Sequence, residues 1–227
     1  MKFINVLTLF LLTQASLIAV DTVVTVNVGG ERIAVPRPAI FVEVGSDKHE
    51  LFPCPPANRL LAAFVSTNDL SLIGSGSTNL IERYAILEVA KFIEGRAISQ
   101  SAFSKIASRF GKQQEEANAS AFEEVNRLAK KLASESGTRS DFQVVELKAL
   151  GTFLNTEACL GALTLASMEW KSEHGKERIP MVCATCVVRT KETLLFAYVY
   201  RLYDGEKSVE WVKETARSWS DSIIKAN

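Results

Sequence analysis

One stretch near the C-terminus constrains the fold of this chain more than any other. Met181–Arg189 runs into a charged turn, Thr190–Thr193, and the chain returns as Leu194–Tyr203. Both arms are rich in β-branched and aromatic residues, a composition typical of strands. The second arm carries apolar side chains on both faces, as expected of a strand covered on both sides. The sequence therefore predicts a hairpin whose second strand lies at the centre of a sheet.

Further strands are predicted on both sides of a helical middle. A glycine pair, Gly29-Gly30, separates two short strands, Thr22–Val28 and Glu31–Val35, which is a strong hairpin signal. A proline-rich irregular segment follows over 45–56. The other predicted strands are Phe41–Val44, Asn58–Val65, Tyr84–Ala90, Val144–Thr152 and Ala158–Trp170. Lys171–Lys176 is predicted to be a charged hairpin loop.

The middle of the chain has helical periodicity. Ser99 or Ser101 can cap a helix whose core face carries Phe103, Ile106 and Phe110. A second apolar stretch follows Gly111, so either two helices or one long helix is expected within an insertion over about 99–137. A last helix is predicted to begin near Ser208. Its apolar stripe consists of Val209, Val212, Ala216, Trp219 and Ile223.

The order of these elements indicates the fold class. Strands cluster instead of alternating strictly with helices, which favours an α+β fold with an antiparallel sheet flanked by helices over a doubly wound fold. A length of 227 residues is typical of one domain. We therefore predict a single α+β domain over 21–227.

The first 20 residues resemble a secretory signal peptide. Lys2 is followed by an apolar run, Phe3–Leu12, and then by small residues. Cleavage is compatible with either Ala15 or Ala19 as the last residue removed. An uncleaved anchor is the alternative, but the run is short for a span of about 20 residues. We therefore predict a periplasmic or secreted bacterial protein, with no transmembrane segment after signal removal.

Charge and motifs exclude several classes of partner. The 26 basic and 26 acidic residues balance, and no arginine-rich run with aromatics occurs, so nucleic acid is not an expected partner. Gly74–Thr78 lacks the lysine of a phosphate loop. With only His49 and His174 available, neither a zinc site nor a Ser-His-Asp hydrolase is expected. We predict no cofactor, no metal and no catalytic residue, although a hydrolase with an unrecognised carboxylate site stays a third possibility.

Four cysteines are candidates for disulfides, namely Cys54, Cys159, Cys183 and Cys186. After export they permit two bonds in three connectivities. Cys183 and Cys186 have the spacing of a thiol–disulfide oxidoreductase, which is the alternative function. On a strand, however, residues three apart point to opposite faces, so structural bonds to other cysteines are favoured. Cys159 is a natural partner for one of them, and Cys54 can reach another.

Trp211 is a candidate interface residue. It lies off the apolar stripe of the last helix, whereas Trp219 lies on it. A partly exposed tryptophan is a common anchor at protein interfaces.

Three segments resemble the PsbP-like fold superfamily, including exported DcrB-like bacterial proteins. They are Gly30–Phe41, with its proline-flanked entry to an aromatic residue; Asn58–Phe64 with Arg83-Tyr84 after it; and the terminal hairpin running into Val209–Val212, Trp219 and Asn227. The resemblance implies an antiparallel sheet sandwiched by helices, an α/β/α arrangement. Members generally act as binding or assembly factors. By analogy we predict an exported, non-enzymatic protein that binds a protein partner or small ligand in the envelope.

Overall fold

The structure, a computed structural model, describes residues 23–52, 54–73, 81–109, 142–172 and 175–227. In these ranges a helix over 100–109 (α1) and the helix Glu206–Lys225 (α2) accompany the strands. The strands are β1 Val23–Val28, β2 Glu31–Pro36, β3 Phe41–Val44, β4 Asn58–Ser66, β5 Arg83–Ala90, β6 Phe142–Asn155, β7 Cys159–Ser172, β8 Gly175–Thr190 and β9 Thr193–Leu202. Ser46–Leu51 and Leu70–Leu72 form 3-10 turns.

Seven strands form one antiparallel sheet in the order β3-β4-β5-β9-β8-β7-β6, and β1 and β2 form a separate hairpin. β9 is the fourth strand of the seven, so the prediction that it lies at the centre of the sheet is confirmed. The α+β class with a large antiparallel sheet is likewise confirmed.

The β8–β9 turn consists of Lys191 and Glu192, because Thr190 pairs with Thr193. Both turn residues have positive φ, 44° and 58°, as a two-residue hairpin turn requires. Lys191 Nζ donates to the Arg32 carbonyl at 3.0 Å, and the Ile98 amide donates to the Glu192 carbonyl at 2.7 Å. These two hydrogen bonds to neighbouring segments therefore stabilise the positive φ angles of a turn that contains no glycine.

One predicted boundary is wrong. β7 and β8 continue to pair as far as Ser172 and Gly175, so Lys171 and Lys176 lie in strands and the predicted loop is too long. Pairing between long neighbouring strands outweighs the charged composition of this stretch. The last helix begins at Glu206, close to the predicted start near Ser208, and Ser208 in its first turn donates from Oγ to the Gly205 carbonyl at 2.5 Å.

One face of the sheet packs against α2. The predicted stripe is confirmed, with Val212, Ala216, Trp219 and Ile223 buried and Val209 partly buried. Trp219 Nε1 donates to the Pro36 carbonyl at 2.8 Å, and the Asn227 side chain pairs with both backbone groups of Ala34 at 2.9 and 2.7 Å. These bonds fasten the β1–β2 hairpin to α2.

α1 packs near the other face of the sheet through Phe103. This ring is buried with Leu160, Val187 and Leu194, and Val187 alternates along β8 with residues that face α2. Ser99 caps the helix, since its Oγ accepts from the Ala102 amide at 3.2 Å. The predicted signal peptide, the insertion from Phe110 onward and His174 lie outside the described residues.

None of the helices in the described ranges is long and apolar enough to cross a membrane.

Candidate functional site

Three tyrosine side chains stand together on the sheet face opposite α2. Tyr84 on β5 pairs with Tyr200 on β9, and their rings stack with centroids 4.4 Å apart at an angle of 14°. Tyr198 lies two residues along β9, with its ring centroid 6.2 Å from that of Tyr200. All three side chains are partly exposed to solvent. Together with Cys183 and Thr185 of β8, they form what we call the tyrosine face.

The residues of β8 extend the tyrosine face onto the strand next to β9. Cys183 pairs with Tyr200 and Thr185 with Tyr198, and Cys183 Sγ lies 3.8 Å from Thr185 Oγ1. Burial raises the pKa of Cys183 to about 12 and raises the pKa of each of the three tyrosines. The face is therefore uncharged at neutral pH. Phe52 borders the face, with its ring centroid 5.8 Å from that of Tyr84.

Glu88 is a buried acid beside this face. It is 1% exposed, and its Oε2 accepts a hydrogen bond from Asn58 Nδ2 at 2.7 Å, while its Oε1 has no hydrogen-bond partner. Burial raises the pKa of Glu88, opposed by the hydrogen bond from Asn58. Burial, followed by the nearby Glu88 charge, raises the pKa of Cys54 to about 12.

We expect Glu88 to make stability depend on pH. Since its pKa is higher in the folded chain than in the unfolded one, folding favours its protonated form. Its contribution is therefore fully present below the unfolded value of about 4.3 and is lost as pH rises through the folded value. Thermal unfolding between pH 4 and 8 should show wild type losing stability relative to Glu88→Gln, by about 1 kcal/mol or more, the cost of a buried unpaired polar group. If the stability of the two proteins changed with pH in parallel, the proposed pH dependence caused by Glu88 would be contradicted.

The structure separates the Cys183–Cys186 pair and brings a different pair together. Cys183 belongs to the tyrosine face, whereas Cys186 faces α2, with its Sγ 4.0 Å from the Ala216 carbonyl oxygen. Cys159 lies on the α2 side as well, diagonal to Cys186 across the β7–β8 pairing. The neighbouring Cys186 thiol and burial raise the pKa of Cys159. All four cysteines are free thiols in this structure.

Glu88 was not recognised from the sequence. The sequence does indicate that Glu88 is unusual, since Glu88 is the one charged residue inside the apolar run Ala85–Ala90. Tyr198 and Tyr200 lie two residues apart on β9, so alternation along a strand places them on one face. Their proximity to Tyr84 depends on the pairing of β5 with β9, which sequence alternation does not reveal.

The remaining predicted site residues are spread over the molecule. Trp211 is half-buried on α2, with its ring 6.1 Å from the ring of Phe41. His49 lies in the first 3-10 turn. Over the described ranges there is no group of three or more His, Cys, Asp or Glu side chains arranged to hold a metal ion.

Comparison with known proteins adds little. No family model matches the chain, and no curated protein does. Among solved structures, the chain is similar to the Ran-binding protein Mog1p of Saccharomyces cerevisiae and to a mutant of protein Mog1. Each has 10% identity over 90% of both chains, with a TM-score of 0.30. At this TM-score neither likeness bears on the fold or function of the chain.

Proposed function

We propose that this chain is an exported, non-enzymatic binding protein that holds a small, uncharged, planar ligand on the tyrosine face. The observation that carries the proposal is the group of three tyrosine rings, which stay partly exposed although burial raises their pKa. Ligand sites are commonly concave and lined by aromatic side chains with a few polar groups.

The chemistry of the tyrosine face favours this class of ligand. Hydroxyl groups and one thiol line it and the buried acid Glu88 lies beside it, so it offers hydrogen bonds but no positive charge to balance an anion. The stacked rings of Tyr84 and Tyr200 favour a further planar ring, since aromatic pairs prefer offset-stacked or edge-to-face contacts. A thiol whose pKa is raised by burial is a poor nucleophile, which supports binding over catalysis at Cys183.

The proposal includes an α/β/α arrangement of the PsbP-like kind. It is supported by α2 on one face of the sheet and by the contacts of Phe103 with Val187 towards the other. The superfamily's general role in binding or assembly agrees with a ligand site on this sheet, by analogy with the fold.

The alternative, a thiol–disulfide redox protein using Cys183 and Cys186, has no support from the geometry. The two thiols lie on opposite faces of β8, so they cannot bond to each other without rearrangement of the strand.

Export gives a prediction about the cysteines. In an oxidising compartment the adjacent thiols Cys159 and Cys186 should join, whereas Cys54 and Cys183 stay free. The intact mass of protein purified from the periplasm should correspond to a chain cut after Ala15 or Ala19 and lighter by two hydrogens. Alkylation under denaturing conditions should label two cysteines. A mass that includes the first 20 residues would contradict cleavage of the signal peptide, and four labelled cysteines would contradict the bond.

A pair of matched ring compounds tests the ligand site. Indole is planar and uncharged, and indole-3-acetate adds a carboxylate. We expect saturation-transfer NMR to detect indole on the wild-type protein and to detect indole-3-acetate much more weakly. Tyr198→Ala should weaken indole binding by about threefold to tenfold, because an aromatic pair contributes about 0.5–1.5 kcal/mol beyond area burial.

Tyr203→Ala is the control for this experiment. Tyr203 is 37% exposed and lies beyond the end of β9, so its removal should leave indole binding unchanged. Thermal melts of both variants establish that each is folded. Equal effects of the two substitutions, or no indole binding to the wild type, would refute the proposed site.

A further inference from the structure

Two arginines occupy directly opposite positions at the start of β5 and the end of β9. Arg83 pairs with Arg201, and both side chains lie on the sheet side that packs against α2. Like charges directly opposite each other on neighbouring strands are destabilising. The pair therefore needs compensating contacts from elsewhere.

The indole of Trp211 supplies one of these contacts to both residues. The Arg83 and Arg201 guanidinium carbons lie 5.7 and 5.3 Å from the ring centroid, within the range of cation–π attraction. The ring centroid of Phe41 lies 6.1 Å from that of the indole. Trp211 is only half-buried, so part of this surface faces solvent. We call Trp211, Arg83 and Arg201 the Trp211 surface.

Among the described residues, a carboxylate compensates one of the two arginines. Arg201 pairs with Asp204 at 2.6 Å, with side chains 17% and 57% exposed respectively. Asp69 is close to Arg83, but its Oδ2 accepts from Ser66 Oγ at 2.8 Å and from the Arg83 backbone amide at 3.0 Å. Among the described residues, no carboxylate forms an ion pair with the Arg83 guanidinium.

We propose that the Trp211 surface binds an acidic segment of a protein partner, with a carboxylate of that segment on Arg83. The site is distinct from the proposed ligand site, which lies on the opposite face of the sheet. A guanidinium matches the two oxygens of a carboxylate, and tryptophan and arginine are enriched among the residues that dominate protein interfaces.

Charge favours a protein partner over a membrane or nucleic acid. Recognition of anionic lipid headgroups typically uses clusters of roughly four to eight basic residues, whereas this surface has two arginines, one of which is paired with Asp204. The chain as a whole has balanced charge, and nucleic-acid binding usually rests on a basic stripe.

A capped hexaglutamate peptide is the probe, and capped hexaglutamine is its uncharged counterpart. We expect the full exported protein to bind hexaglutamate, with a shift of the Trp211 indole N–H resonance that is absent in Trp211→Phe. Arg83→Gln should weaken binding by about fivefold to tenfold, in the range of one exposed charge-assisted hydrogen bond. Lys213→Gln removes a cation of α2 that pairs with Glu210 and should leave the affinity unchanged.

Arg83→Lys keeps the charge but loses the planar fork, and it should bind with intermediate affinity. Thermal melts establish that each variant is folded. Equal binding of hexaglutamine, or unchanged binding by Arg83→Gln, would overturn the proposal. Binding to phosphatidylserine vesicles or inorganic phosphate without binding to hexaglutamate would also overturn it, in favour of a membrane or a free anion.

Discussion

Trp219→Ala is expected to lower the free energy of unfolding by about 3–5 kcal/mol, the usual cost of removing a large buried aromatic ring. Trp219 is 2% exposed and makes an edge-to-face contact with Phe64, with centroids 5.6 Å apart. It also donates its only N–H to the Pro36 carbonyl. For a chain of this size the melting temperature should fall by roughly 6–20 °C. Differential scanning calorimetry measures both quantities.

Trp219→Phe separates packing from the hydrogen bond. Phenylalanine keeps an aromatic ring against Phe64 but leaves the Pro36 carbonyl unpaired, so we expect a smaller loss of about 1–2 kcal/mol. Hydrogen exchange should report faster exchange in the β1–β2 hairpin in both variants, because Trp219 connects this hairpin to α2. A loss below 1 kcal/mol for the alanine variant would contradict the packing described here.

Gly29→Ala is the second substitution with a large expected effect. Gly29 has φ of 60°, and a Cβ placed there would lie 2.3 Å from Gly95 Cα, a backbone atom that cannot swing away. A left-handed conformation costs a non-glycine residue about 1–2 kcal/mol, and overpacking adds about 1–3 kcal/mol. We therefore expect a total loss of about 2–5 kcal/mol, measured by urea unfolding.

Gly30→Ala is the matched control for that experiment. Gly30 also has a positive φ, 94°, but a Cβ there would meet nothing within 4 Å. Only the backbone cost of about 1–2 kcal/mol should remain. The difference between the two variants isolates the contact of the β1–β2 turn with the turn at Gly95, a contact that Arg59 reinforces by binding both Asn27 and Glu94. Equal losses for both variants would mean that this contact contributes nothing.

The sequence was most informative where side-chain alternation decides the structure. Apolar residues on both faces of β9 predicted a central strand, and β9 is central. The opposite orientations of Cys183 and Cys186 followed from the same alternation, as did the stripe of α2 from its helical spacing. In each case the relevant pattern lies within one element.

Features that depend on two elements were not predictable in the same way. Pairing between β7 and β8 continues through the charged residues near their turn. The charged composition of this stretch therefore predicted a loop that is too long. The stacking of Tyr84 on Tyr200 and the meeting of Arg83 and Arg201 over Trp211 depend on β5 lying beside β9. The partial exposure of Trp211 was predicted from its position on the last helix, but the arginines around it were not.

The central position of β9 has a consequence for the kinetics of folding. β6 to β9 are neighbours in sequence as well as in the sheet, so this meander can form through local contacts. β5, in contrast, pairs with a strand encoded near the end of the chain, and closing so long a loop before any contact forms slows folding. A nascent chain that ends before Thr193 leaves β5 and β8 with open edges, which are sites of intermolecular association. The sheet joins into one unit only when β9 is synthesised.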